Sequence, residues 1–328
     1  MGGIGVIVNP RSKRNLGDPR AAQRLARALG DHGVVRTVRC KDDLSRIAED
    51  FRRQKIDVLG ISGGDGTNYV TITGFLQVYE SEPLPPLAFL RGGTFNTVAN
   101  AVGVPRDSPD GLLAHLIRRY ADRQRRPLHW IERHVMRIGD HYGFIFGTGA
   151  ISGFIDEYNK TDDKNAIWAA KVLGRAAGDV VRGRPTPVAR RWEGKVTLGD
   201  GTVFPERDYL AIGAGTVDQI GLGFAPFYRS SSAPGRFQIL GIFTSAMGFV
   251  RSLPGVWRAR PMGPEHTYDE LATSAVVEAR GGTVEYMCDG DLIVHAGPLE
   301  IATGPRVRIL VEHKRGFRPM AGMSGLFA

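Results

Sequence analysis

Cysteine is almost missing from this chain of 328 residues: there are two, Cys40 and Cys288. Neither has metal-ligand spacing, and two thiols make no disulfide framework. The simplest reading is a pair of reduced thiols, with no positive support for a Cys40–Cys288 disulfide. No stretch reaches the ~20 apolar residues that cross a bilayer, so membrane contact is expected to be peripheral. The opening residues 1–8 are apolar but short and lack a basic start, unlike a secretory signal. The eight histidines are scattered, with no HExxH or paired spacing, which argues against a zinc enzyme. Neither GxGxxG after the first apolar run nor GxxxxGK[ST] occurs, so a typical dinucleotide fold and a P-loop enzyme are both set aside. Internal repeats and low-complexity tracts are missing too.

What is present is an ordinary globular composition. Hydrophobic residues make up 42% and charged residues 23%, over a length that allows two domains with cores of their own. The formal net charge is +9. A basic balance suits nucleic acid, an anionic membrane or a phosphate-rich substrate, and does not choose among them. No recognised nucleic-acid module accompanies the charge, so a nucleic-acid partner is not expected.

The most informative stretch is Ile61-Ser62-Gly63-Gly64-Asp65-Gly66-Thr67. It follows an apolar run over 56–61 that reads as a buried strand, and residues 68–78 behind it can form a helix. Glycines let such a turn approach a ligand closely, and a helix N-terminus behind it seats phosphate. Asp65 repels phosphate on its own. It makes sense beside a divalent cation bridging to phosphate oxygens, or as an acceptor of a hydroxyl proton. A second turn, Arg91-Gly92-Gly93-Thr94-Phe95-Asn96-Thr97, follows the apolar run 87–90 and precedes a short helix over 98–102. Each turn alone reads equally well as structure. Two such turns at the carboxyl ends of two strands point to one ligand between them. A third loop, Asn9-Pro10-Arg11-Ser12, follows the strand-like run 4–8. Asn9 and Arg11 are candidates to touch a nucleotide there; the alternative is a solvated turn.

Helical spacing over 19–29, 43–51 and 110–120 alternates with strands, which predicts a parallel, doubly wound α/β domain over residues 1–127. Beyond Pro127 short strand-like runs and Gly-rich turns predict an antiparallel β-sandwich over 128–311. Two helices are expected to interrupt it, over 165–181 and over 244–256 with a stop near Pro254. Lys171 and Arg175 are four apart and share a helix face, which either reaches phosphates or is simply a basic, solvated surface. Cys288-Asp289-Gly290-Asp291 reads first as a type I′ hairpin turn, a reading that weakens if the turn faces the glycine loops.

Together, Asn9-Pro10-Arg11-Ser12, Gly63-Gly64-Asp65-Gly66-Thr67, Gly93-Thr94-Phe95-Asn96 and Asp289-Gly290-Asp291 resemble the motifs of the diacylglycerol kinase catalytic-domain family, in their order and separations. That family includes bacterial soluble lipid kinases and sphingosine kinases. The glycine-aspartate element alone is shared with NAD kinases and phosphofructokinases. The resemblance implies ATP and Mg²⁺ in a cleft between an α/β domain and a β-sandwich, with the last residues, 312–328, completing the first domain. It implies that Asn9, Arg11, Gly63, Gly64, Gly66, Thr67, Gly93, Thr94 and Asn96 hold or shape the nucleotide. Lys171 is implied to meet the ATP phosphates and Asp65 to act near phosphates and metal. Asp291 stands where the family has a Glu, the base for the lipid hydroxyl.

Three departures stand out. Thr97 replaces the family's usual Asp after Asn96, and Asp291 is one methylene shorter than Glu. Residues 232–237 carry Arg236 where bacterial relatives have an Asp-bearing loop for a structural Mg²⁺, so that site is expected to be absent. The expected activity is ATP-dependent phosphorylation of a lipid hydroxyl by a cytoplasmic protein that docks peripherally on a membrane. Two stretches are candidates for docking: the tail 314–320, and Arg251, Trp257, Arg258 and Arg260. An NAD-kinase-like enzyme and a degenerate nucleotide- or lipid-binding protein stay open as alternatives. A homodimer is left open as well.

Overall fold

The structure is a computed structural model that describes residues 2–161 and 165–311. Its first half alternates strand and helix: β1 (Ile4–Val8), α1 (Lys13–Leu16), α2 (Ala21–Leu29), β2 (Gly33–Thr37), α3 (Lys41–Gln54), β3 (Val58–Ser62), α4 (Asp65–Tyr79), β4 (Leu87–Phe89), α5 (Thr97–Ala101) and α6 (Pro109–Ala121). The four strands pair in parallel in the order β2-β1-β3-β4. Every residue of β1 and β3 is buried, as expected of a sheet covered on both faces. Side chains alternate along β1. Ile4, Val6 and Val8 pack under Leu25, Leu29, Leu113 and Tyr120 of α2 and α6. Ile7 faces the other way, with Leu44 and Phe51 of α3 and Ile72 and Phe75 of α4. Each such fully buried side chain contributes about 1.5–3 kcal/mol.

The second half runs β5 (Trp130–Ile138), β6 (His141–Gly143), β7 (Ile145–Gly147), α7 (Ala150–Asn159), α8 (Ala166–Val181), β8 (Trp192–Leu198), β9 (Val203–Tyr209), β10 (Ala211–Gly215), β11 (Phe237–Ile242), α9 (Ala246–Trp257), β12 (Thr267–Ala272), β13 (Ser274–Ala279), β14 (Thr283–Cys288), β15 (Asp291–Ala296) and β16 (Leu299–Leu310). Strands β12-β11-β10-β7-β14-β15 form an antiparallel sheet. Opposite it lies β5, β16, β13, β8 and β9, and a shared core fills the gap with Phe146, Ile212 and Tyr286 from one sheet and Val196, Val277 and Ile301 from the other. The α/β domain and the antiparallel sandwich expected from the sequence are both present. The end of β16 pairs in parallel with β4, Ile309 opposite Leu87, so the second sheet continues the first. Residues 312–328, expected to complete the first domain, lie outside the described residues.

Local differences have local causes. Helix α4 begins at Asp65 itself, so the glycine turn is shorter than its sequence suggests. Helix α7 occupies a stretch that reads as a Gly-rich turn, because Gly149 with φ +65° supplies the bend before it and the helix fills the space beside β10. Pro254 does not stop α9, which continues to Trp257. One missing N–H and a ring against the preceding turn are tolerated there, where Pro254 sits on the exposed side. Cys40 is exposed and Cys288 buried, and both are free.

Candidate active site between two glycine turns

The strand order places β1 and β3 side by side with their chains leaving in opposite directions, the point where open α/β sheets bind ligands. The loops after β1, β3 and β4 meet there. Asn9 leads: its Nδ2 donates to Thr67 Oγ1 at 2.9 Å, and its Oδ1 accepts from the Arg11 N–H at 2.8 Å. The two glycine turns touch backbone to backbone. A Cβ on Gly93 would stand 2.2 Å from Gly64 Cα, and one on Gly92 2.9 Å from Gly63 N. A Cβ on Gly63 would strike the Thr67 side chain at 2.3 Å. The glycines are thus required by close approach.

Asp65 ties the turns together. Its Oδ2 accepts from the Thr97 N–H at 3.0 Å and its Oδ1 from the Val98 N–H at 3.4 Å, which caps α5 from another element. Burial raises the proton affinity of this carboxyl, and the Thr97 and Val98 amides, the Thr97 hydroxyl and Arg91 oppose the rise. Thr97, where a carboxylate was expected on family grounds, therefore supports Asp65 instead of repelling it. The first intrahelical bond of α4 runs from Asn68 N to Gly64 O, so the amides of Asp65, Gly66 and Thr67 precede the helical ladder, as a phosphate seat requires.

The late acidic turn arrives from the sandwich. Asp289 has φ +46° and Gly290 φ +101°, with Cys288 paired to Asp291 across them, which is the two-residue hairpin expected from the sequence. The turn also faces the glycine loops: a Cβ on Gly66 would stand 3.0 Å from Asp291 Oδ1. Asp291 is exposed on the cleft side, whereas Asp289 is buried. Asp289 Oδ1 accepts from Ile145 N at 2.8 Å and from Phe144 N at 3.1 Å. Burial pushes the Asp289 carboxyl up to about 8, the charges of Asp65 and Asp291 add to the rise, and the two amides hold it back. Asp289 was not among the sequence candidates, although its neighbour was. Nothing in a Cys-Asp-Gly-Asp turn says which carboxylate points inward.

These groups stand at one end of a cavity of about 900 Å³. Asn9, Arg11, Gly64, Asp65, Gly66, Thr67, Gly93, Thr94, Asp289 and Asp291 line it. Most of the remaining wall is apolar: Ile151 and Phe154 of α7, Leu173 and Val180 of α8, Phe249 and Leu253 of α9, and Leu240 of β11. Gly63 and Asn96 stand behind this wall. The Asn96 side chain is spent inside its own turn, accepting from Gly93 N at 3.3 Å and donating to Gly93 O at 2.9 Å, so it shapes the loop. Lys171 is exposed and does not line the cavity. Helix α8 turns its apolar stripe inward, with Leu173, Ala176, Ala177 and Val180 on the cavity, which carries Lys171 to the outside. The expectation that Lys171 meets phosphates has no support in this arrangement.

Among the described residues, no set of three or more His, Cys, Asp or Glu is grouped so as to hold a metal. The carboxyls present are nonetheless crowded and desolvated, a condition that a cation relieves. The donor set fits a divalent cation that shares its coordination with phosphate oxygens, and does not fit one caged by protein alone.

With this geometry in place, the comparisons with known proteins agree with the motifs. Residues 3–126 match the family model of the diacylglycerol kinase catalytic domain, and the chain resembles that family. Among named relatives, the probable lipid kinase YegS of Shigella flexneri is 35% identical over 100 residues, which is 30% of this chain and 33% of that protein. The YegS of Escherichia coli O1:K1 / APEC matches to the same extent, 35% over 100 residues, again 30% of this chain and 33% of its own. The matched segment therefore spans about a third of these relatives. In solved structures, a putative diacylglycerol kinase from Bacillus anthracis str. Sterne superposes with a TM-score of 0.67 at 17% identity, over 95% of this chain and 97% of that one. Another crystal structure with that description gives 0.65 at 18% identity, over 94% and 97%. These likenesses establish the fold.

Proposed function

We propose that this protein is an ATP-dependent lipid kinase that transfers the γ-phosphoryl group of ATP to a hydroxyl of a diacylglycerol-like or sphingoid-like lipid. The observation that carries the proposal is the cavity itself: a polar end built from three strand-end loops and three carboxyls runs into a long apolar wall. A soluble acceptor such as NAD has no use for that wall, which disfavours the NAD-kinase-like alternative.

Phosphoryl transfer asks the protein mainly to position groups and offset charge. The amides at the start of α4 and the Gly93–Thr94 turn hold the nucleotide phosphates, and Asn9, Arg11 and Thr67 hold its other portions. Mg²⁺ when bound neutralises charge on the phosphate oxygens. Asp65 faces that charge while its own orientation is fixed by the α5 amides. The lipid chains lie along the apolar wall, which leaves the hydroxyl at the polar end beside Asp291. Asp291 accepts the hydroxyl proton as the oxygen attacks the γ-phosphorus and the bond from that phosphorus to the β–γ bridging oxygen breaks, with ADP as the leaving group. The nucleotide then belongs to residues 1–127 and the lipid to 128–311. The setting is the cytoplasmic side of a membrane.

The test is label transfer from γ-labelled ATP–Mg²⁺ into a total lipid extract, with NAD in a parallel reaction. Labelled lipid is expected, lost in Asp65→Ala. Asp291→Asn is expected to cut turnover by roughly 100-fold or more, as for removal of a positioned base, with ATP affinity nearly unchanged. Near-normal turnover in Asp291→Asn would remove that residue's role. Label in NAD alone would replace the lipid reading. No label in either, with ATP bound, would make this a nucleotide-binding protein without turnover.

A further inference from the structure

We propose that the outward faces of α8 and α9 together form a docking surface for an anionic lipid bilayer, a reading that rests on the lipid-kinase function above. The two helices pack against each other, and their inward stripes wall the apolar cavity, Ala176 and Val180 from α8 and Val250 and Leu253 from α9. Their outward faces depart from ordinary solvated helix surface. Ile167 is 70% exposed, Val181 61% and Trp257 57%. Around them, at helical spacing, stand exposed cations: Lys171, Arg175 and Arg182 on α8, and Arg251 and Arg258 on α9. Among the described residues of the two helices and their ends, the acidic ones are Asp179, half-buried on the flank of α8, and Glu265, exposed beyond the end of α9.

Charge decides the occupant. Some surface arginines elsewhere are answered by carboxylates, as in Arg24 with Asp110, Arg190 with Glu285 and Arg280 with Glu193. Among the described residues, no ion pair engages Arg175, Arg182, Arg251 or Arg258. The Arg258 guanidinium instead stands 5.9 Å from the centre of the Trp257 ring, and its Nη1 donates to Pro254 O at 3.1 Å. Unanswered cations mixed with exposed Ile, Val and Trp suit the headgroup layer of an anionic membrane, where cations meet lipid charge and apolar side chains sink below it. A purely polyanionic partner would use the arginines and leave Ile167 and Trp257 idle. The helices that would touch the bilayer are the same ones that wall the cavity. Lipid would therefore pass from one side of them to the other without crossing the polar half of the molecule.

The experiment is vesicle sedimentation of the whole protein, without ATP. It compares phosphatidylcholine vesicles with vesicles doped with phosphatidylglycerol. Partition into the doped vesicles is expected to exceed that into phosphatidylcholine alone. Arg175→Gln/Arg182→Gln should weaken it by roughly 10- to 30-fold, at about fivefold per cation. Ile167→Ser/Trp257→Ser should weaken it too. The control Arg27→Gln/Arg46→Gln removes equal charge from exposed positions on α2 and α3 and should leave partition unchanged. Equal loss in the control, no loss in the arginine pair, or loss only with the arginines and none with Ile167 and Trp257 would each overturn the proposal. Phosphoryl transfer to detergent-dispersed lipid is measured alongside. Partition without transfer sinks the kinase reading and leaves the surface standing, and transfer without preferential partition into the doped vesicles does the reverse.

Discussion

Asp289 shows what a single buried carboxyl does to the whole chain. In the unfolded state it loses its proton near pH ~4; in the folded state burial holds the proton up to about 8. Between those values the folded state binds more protons than the unfolded one, so stability falls as pH rises through the window and levels off above it. Asp289→Asn keeps an oxygen to accept from Phe144 and Ile145 and carries no charge. It is expected to flatten that decline. Chemical-denaturation midpoints of both proteins across the window check this, and parallel curves would mean that Asp289 ionises normally. The same residue marks a limit of sequence reading. The turn Cys288-Asp289-Gly290-Asp291 was legible as a hairpin, and Asp291 as the cleft carboxylate, but inward and outward are set by β14 pairing with β7 on one side and β15 on the other. Lys171 marks another: its spacing to Arg175 was correctly read as one helix face, but not which way that face pointed.

Elements behave more predictably than residues here, because glycine placement records backbone contact directly. Gly64 and Gly93 lie on different turns; Gly64 leaves no room for a side chain on Gly93, and a Cβ on Gly64 would be tight against Gly93 Cα at 3.1 Å. Gly93→Ala would set its methyl 2.2 Å from Gly64 Cα, where only backbone can yield. Overpacking of this kind costs typically ~1–3 kcal/mol. The variant is expected to melt lower and to lose ATP binding, because the two turns must part. Calorimetric melting and nucleotide titration read both effects; unchanged affinity would show that the turns do not act as one ligand seat. Helix α7 had no comparable signal. Its segment 150–159 follows Gly147 and Gly149 and carries Ile151 and Gly153 in its first turn, which by themselves suggest a turn, and only packing onto the sandwich makes it helical.

For the whole molecule, β16 is the decisive element. It pairs with β13 and β5 in the sandwich and with β4 in the parallel sheet, and so joins both halves into one surface of hydrogen bonds. Residues 1–127 by themselves would leave the edge of β4 uncovered, with Leu87 and Phe89 buried in the intact protein. That fragment is expected to aggregate, where the full chain elutes as a defined species in size-exclusion chromatography. A well-behaved, folded fragment would mean that the first half stands as a domain without β16. The sequence alone determined the order of strands and helices apart from α7, the parallel character of the first sheet, the antiparallel strand pattern of the second half and the loops that carry chemistry. Those follow from periodicity, turn residues and apolar runs, which are local. Tertiary structure alone decided that three loops and one distant hairpin share a cavity, that Thr97 supports Asp65, that Lys171 faces outward and that two helices wall the apolar space. Each of these depends on which surfaces bury one another across the chain, and no local pattern of residues encodes that.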